Sequence, residues 1–178
     1  AISVPLSIKL EEANDLLFRL KHADSKLIFV SKYQLKKVRS IVADLPELKQ
    51  IVVWGDVDGG LIEGEISLEE LKSKGDDYLK ENAESFRTIA ESLKNDDIAT
   101  ITYTSGTTAD PKGVVLTHRN YTANVEQSLS VVNIPSTWRT LIILPLDHCF
   151  AHVVGFYIMI ACGATVATTE VGRTPMET

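Results

Sequence analysis

Two short apolar runs, Leu27-Ile28-Phe29-Val30 and Ile51-Val52-Val53-Trp54, constrain the fold more than any other feature of the chain. Neither alternates with polar residues, and strands covered on both faces look like this. Between them, Leu35, Val38, Ile41, Val42 and Leu45 recur at helical spacing. Ser31 stands where that helix would be capped, with Gln34 as its capping-box partner, and Pro46 marks the stop. A strand, a helix and a strand in that order predict an α/β fold in three layers, a mostly parallel sheet flanked by helices.

The rest of the chain extends this pattern. Residues 1–60 read as the strand–helix–strand unit, preceded by a possible strand over Ala1 to Pro5 and a helix carrying Ala13, Leu16, Leu17 and Leu20. Residues 61–97 read as an acidic helical segment: one helix capped by Ser67 with Glu70, then a second from about Glu81 to Leu93. Leu68, Leu71, Tyr78, Leu79, Phe86, Ile89, Ala90 and Leu93 are its expected inner residues. Residues 98–178 alternate again: strands at Ile98 to Tyr103 and Val114 to Leu116, a helix from Arg119 to Val131, a strand from Thr140 to Leu144, a buried helix from Val153 to Ala161 and a strand from Ala164 to Thr168. Trp54 and Trp138 are expected in the core. The final phrase, Arg173 to Thr178, reads as a lead-in to another helix, so the chain is expected to be a piece of a longer protein.

Charge narrows the function classes. The net charge is −6, divided as +3 over residues 1–50, −8 over 56–97 and −1 over 98–178. A net acidic chain is a poor nucleic-acid binder. Two cysteines, Cys149 and Cys162, make no disulfide framework and suit a reducing, cytoplasmic compartment. The longest apolar run, Val153 to Ala167, is interrupted by two glycines and falls short of the roughly 18 residues of a spanning helix.

The chemistry concentrates between two strands, in Tyr103-Thr104-Ser105-Gly106-Thr107-Thr108-Ala109-Asp110-Pro111-Lys112-Gly113. Five hydroxyl side chains occupy the six positions from Tyr103 to Thr108, around one glycine. Small residues expose backbone N–H groups, hydroxyls add donors, and Lys112 adds a point charge, which together suit phosphate oxygens. The glycine spacing fits neither a Walker loop, since Pro111 stands where the second glycine belongs, nor a dinucleotide fingerprint. A polar hairpin loop is the plain alternative.

The same string resembles the phosphate-binding signature of the adenylate-forming enzymes, the superfamily of acyl-CoA synthetases, luciferases and peptide-synthetase adenylation domains. The match runs from Tyr103 to Thr108 and from Pro111 to Gly113, with Ala109 where the family usually has glycine. Leu144-Pro145-Leu146-Asp147-His148 resembles the family's Leu-Pro-x-x-His segment. The residues after it, and the helix from Arg119, look most like the long-chain fatty acyl-CoA synthetase branch. The resemblance covers essentially the whole chain and implies part of the large N-terminal AMP-binding domain.

That resemblance implies an ATP-dependent ligase that turns a long-chain fatty acid into acyl-AMP and then acyl-CoA, with Mg2+ and coenzyme A. It implies that Thr104, Ser105, Gly106, Thr107, Thr108, Lys112 and Gly113 hold the distal phosphates. Gly106 and Gly113 would permit close backbone approach, Lys112 would stabilise the leaving pyrophosphate, and His148 would sit near the acyl carboxylate. The family's later motifs for adenine, ribose and the adenylation lysine are not in these 178 residues, so the isolated chain is expected to be inactive and to need the remainder of its parent. A non-enzymatic nucleotide-binding or assembly module built on the same fold is the alternative. Self-association of the piece, and peripheral contact of the parent with a membrane, are further expectations.

Two other chemistries fit poorly. Asp147, His148 and His152 suggest a metal cluster, but no third histidine is near and no metal ligand set is assigned. Ser105 lacks the Gly-x-Ser-x-Gly elbow of a hydrolase, and His152 reads as a partly buried histidine.

Overall fold

The computed structural model describes residues 1–7, 10, 12–104, 110–144, 146 and 150–168. The chain divides into two units, Ile8–Leu93 and Ala1–Ser7 with Lys94–Thr178.

The first unit is built on a parallel sheet ordered β1 (Leu27–Ser31), β2 (Gln50–Trp54), β3 (Glu65–Ser67). Helix α1 spans Ala13–His22 and helix α2 spans Lys32–Arg39. In central β2, Ile51, Val52 and Val53 are all buried, as the apolar run predicts. Edge strand β1 differs: Ile28 and Val30 are buried while Leu27 and Phe29 are exposed, so only one of its faces is covered. Leu16 and Leu20 of α1, and Leu35 and Val38 of α2, are buried.

Helix α2 is shorter than its apolar spacing predicts. Ser31 is its N-cap residue without a side-chain cap hydrogen bond, so the expected Ser31–Gln34 box does not form. At the far end Ser40 Oγ donates to the Lys37 carbonyl at 2.8 Å, a local bond that competes with helix continuation. A 3₁₀ turn over Val42–Asp44 follows and still buries Ile41 and Leu45. Glu65, whose side chain is fully buried, is held by Arg39 through Nε and Nη2, each at 2.7 Å. The backbone N–H of Ile62 donates to the same carboxylate at 3.1 Å. This pair joins the end of α2 to β3.

Helix α3 runs Leu68–Ser92, opened by Ser67, whose hydroxyl accepts from the Glu70 N–H at 2.9 Å. The Glu70 carboxylate meets Lys74 instead of closing a reciprocal box. Asn82 breaks the helical dihedrals, close to the expected start of a second helix. The apolar face did not go inward as expected: Leu68 and Leu71 are half-buried, but Tyr78, Leu79, Phe86, Ile89, Ala90 and Leu93 are exposed.

The second unit contains an antiparallel hairpin, β4 (Ile98–Thr104) with β5 (Lys112–Thr117), and a parallel pair, β6 (Arg139–Ile142) with β7 (Thr165–Thr168). The expected N-terminal strand is reduced to one parallel bridge, Ser3 to Thr100. Helix α4 (His118–Val131) starts at a complete capping box between Thr117 and Asn120. The expected helix from Val153 begins as a π-helical segment, Ala151–Tyr157, and finishes as α5 (Ile158–Ala161), ended by Gly163 at φ 66°. Tyr121, Val153 and Ile158 centre the core, with Ala99, Leu116, Val125 and Leu129 packed around them. Three of the four strand pairings among the described residues are parallel, as expected, but the strands fall into three separate sheets, one of them the antiparallel hairpin.

Candidate functional site

The hairpin places the candidate phosphate-binding residues. In its register Thr104 lies opposite Lys112, and Tyr103 opposite Gly113. The hydroxyl-rich stretch is therefore the connection of an antiparallel pair, entered at Thr104 and left at Lys112. Directly opposed residues project from the same face of a sheet. Thr104 and Lys112 thus stand together at the mouth of the loop, and both are exposed. Thr104 Oγ1 donates to the Lys112 carbonyl at 3.5 Å. Among the described residues no carboxylate pairs with the Lys112 ammonium.

Gly113 also has a packing role within the hairpin. A Cβ there would meet Ile101 Cγ2 at 3.0 Å and Tyr103 Cε1 at 3.4 Å. The absent side chain makes room for protein groups: the buried Tyr103 lies across the backbone of the facing strand. Ser105, Gly106, Thr107, Thr108, Ala109 and His148 lie outside the described residues, as do Asp147 and Cys149. Among the described residues no group of three or more His, Cys, Asp or Glu side chains could hold a metal.

Behind the mouth, β4 is anchored on both sides. The Ser3 N–H donates to the Ala99 carbonyl at 3.0 Å, and the Ile101 N–H to the Ser3 carbonyl at 2.9 Å. Thr100 Oγ1 and Tyr121 Oη share a buried hydrogen bond of 2.8 Å. The ring of Tyr121 meets Tyr157 edge-on at 5.1 Å and His152 at 6.5 Å. Burial pushes the Tyr157 phenol up from its ordinary value, with Tyr121 adding to the shift. At the base of the hairpin, Arg119 donates from Nε to Asp96 at 2.7 Å; the guanidinium lowers the pKa of the carboxyl, and the carboxylate raises that of Arg119. Sequence reasoning missed Thr100 and Tyr121. The signal was there: a hydroxyl in a buried strand and a tyrosine on the inner face of the next helix each need a partner.

A profile of the family described as "AMP-binding enzyme" matches residues 1–177. The chain belongs to the AMP-binding enzyme family. Curated relatives in this adenylate-forming superfamily include the peroxisomal long chain acyl-CoA synthetases 6 and 7 of Arabidopsis thaliana. The first is 35% identical over 168 residues, and the second 34% over 172. Each alignment covers 91% of this chain and 23% of the relative, so this chain spans about a quarter of their length. Among solved structures, the anthranilate CoA ligase AuaEII in complex with anthranoyl-AMP superposes with a TM-score of 0.76 at 23% identity. That match covers 97% of this chain and 31% of AuaEII, and it supports the α/β fold. No helix among the described residues is long and apolar enough to cross a membrane.

Proposed function

We propose that this AMP-binding chain is the phosphate-loop region of a longer ATP-dependent ligase that activates a long-chain fatty acid. The carrying observation is the hairpin that sets Thr104 opposite Lys112 at the mouth of the hydroxyl-rich loop. In the proposed step a carboxylate oxygen bonds to the α-phosphorus of ATP, and the bond to the β-phosphate bridging oxygen breaks. Pyrophosphate leaves with that electron pair, and acyl-AMP remains. Coenzyme A thiol then displaces AMP, giving the thioester and releasing a proton.

Charge builds on the departing pyrophosphate, and a fixed cation there lowers the barrier without moving a proton. Lys112 is the residue proposed for that role. Thr104, with Ser105, Thr107 and Thr108, would donate to the distal phosphate oxygens, and magnesium would arrive with the nucleotide. His148 is proposed beside the acyl carboxylate. The long-chain preference rests on the two Arabidopsis relatives. AuaEII, an anthranilate CoA ligase, shows that the fold also serves an aromatic acid.

Acid-dependent exchange of labelled pyrophosphate into ATP by the full-length protein tests the reading. Fatty acids of about 16 carbons should drive exchange, whereas anthranilate and free amino acids should not. Exchange driven only by a small aromatic acid would reassign the substrate. ATP binding with no exchange on any acid would favour a non-enzymatic nucleotide-binding module.

A further inference from the structure

Tyr121 touches two segments that the proposed reaction must hold in fixed relation. Through its hydroxyl it bonds Thr100 of β4 at 2.8 Å. Thr100, Thr102 and Thr104 alternate onto one face of that strand, so the anchor and the loop-mouth hydroxyl belong to the same face. Through its ring it packs edge-on against Tyr157 at 5.1 Å and His152 at 6.5 Å. Those two rings stand 6.0 Å apart on the π-helical segment Ala151–Tyr157, which begins three residues after His148 of the Leu-Pro-x-x-His stretch. π-helical turns in soluble proteins concentrate at functional sites. Thr100 and Tyr121 are both almost fully buried, so a lost hydroxyl leaves its partner without water to replace it.

We propose, building on the adenylation reading, that Tyr121 is a positioning residue. It clamps the phosphate-loop strand to the π-helical segment that comes after the Leu-Pro-x-x-His stretch in sequence, and so sets the line between carboxylate and α-phosphorus. Misplacement of reacting groups by even 1 Å costs about 10²-fold in rate. The second half-reaction has already lost pyrophosphate and does not depend on that alignment. The clamp therefore acts on adenylation and not on thioester formation.

The test compares half-reactions in the full-length protein. Tyr121→Phe keeps the ring and removes the hydroxyl. It should lower pyrophosphate exchange about tenfold or more, while the rate of thioester formation from supplied acyl-AMP stays within about twofold. Thr100→Val should give the same selective loss, and Thr100→Ser, which keeps the hydroxyl, should retain the wild-type ratio. Equal losses in both half-reactions, or none in exchange, would overturn the proposal. So would failure of both Tyr121→Phe and Thr100→Val to fold, which would assign the pair to stability alone. A wild-type protein that supports no exchange overturns the adenylation reading itself, a result separable from any effect of Tyr121.

Discussion

Single residues at the hairpin carry more constraint than their sequence neighbours suggest. Gly113 looks like a loop glycine, yet its missing side chain accommodates Ile101 and Tyr103 across the strand pair. Gly113→Ala should cost about 1–3 kcal/mol through overpacking, read as a drop in the urea midpoint with an unchanged slope. The composition of the loop was legible because the proposed phosphate contacts call for small residues, hydroxyls and a cation. The partners behind it were less legible. Thr100 and Tyr121 are 21 positions apart, and nothing local marks them as a pair. Trp54 and Trp138, expected in the core, are about half exposed, because size and hydrophobicity do not say which side of an element a ring leaves from.

At the scale of elements, continuous apolar runs and helical spacing located most strands and helices. Their ends and faces depended on tertiary context. The covered strand is β2, which has neighbours on both edges; β1 is a similar apolar run with one open face. Capping boxes divided the same way. Thr117 with Asn120 closes one, Ser31 with Gln34 does not, and Ser67 accepts its half while Glu70 pairs with Lys74. Thr117→Ala should therefore cost about 1 kcal/mol of unfolding free energy.

The Arg39–Glu65 pair offers a pH signature. Arg39 chiefly holds the Glu65 carboxyl below its ordinary 4.5, against the opposing effect of burial. A lowered native value means that the pair's contribution is complete above about pH 4.5 and is lost as pH falls through the native value. Glu65→Gln should destabilise the protein at pH 7, since a neutral amide loses the charge-assisted hydrogen bonds to Arg39. The gap between wild type and variant should narrow below pH 4.5, as measured by denaturant titration across that range.

On the scale of the whole molecule, the distribution of apolar surface separates structural positions from uncovered ones. Leu35 is 2% exposed and Phe86 is 66% exposed. In the 178-residue chain, Leu35→Ala should cost about 2–5 kcal/mol and Phe86→Ala less than about 0.5. Tyr78, Phe86, Ile89 and Leu93 crowd the surface of one long helix, a density that favours association. The 178-residue chain should show a weight-average mass that rises with concentration in sedimentation equilibrium, and Phe86→Ser with Ile89→Ser should flatten that rise.

The account depends most on the cation at the mouth of the β4–β5 loop. Lys112→Met removes that charge and nearly keeps the side-chain length. In the full-length protein, kcat/KM for ATP in the adenylation half-reaction should fall about 10²-fold, with an unchanged unfolding midpoint. A correctly folded Lys112→Met protein that adenylates at the wild-type kcat/KM would contradict the assignment of this loop to the phosphates of ATP.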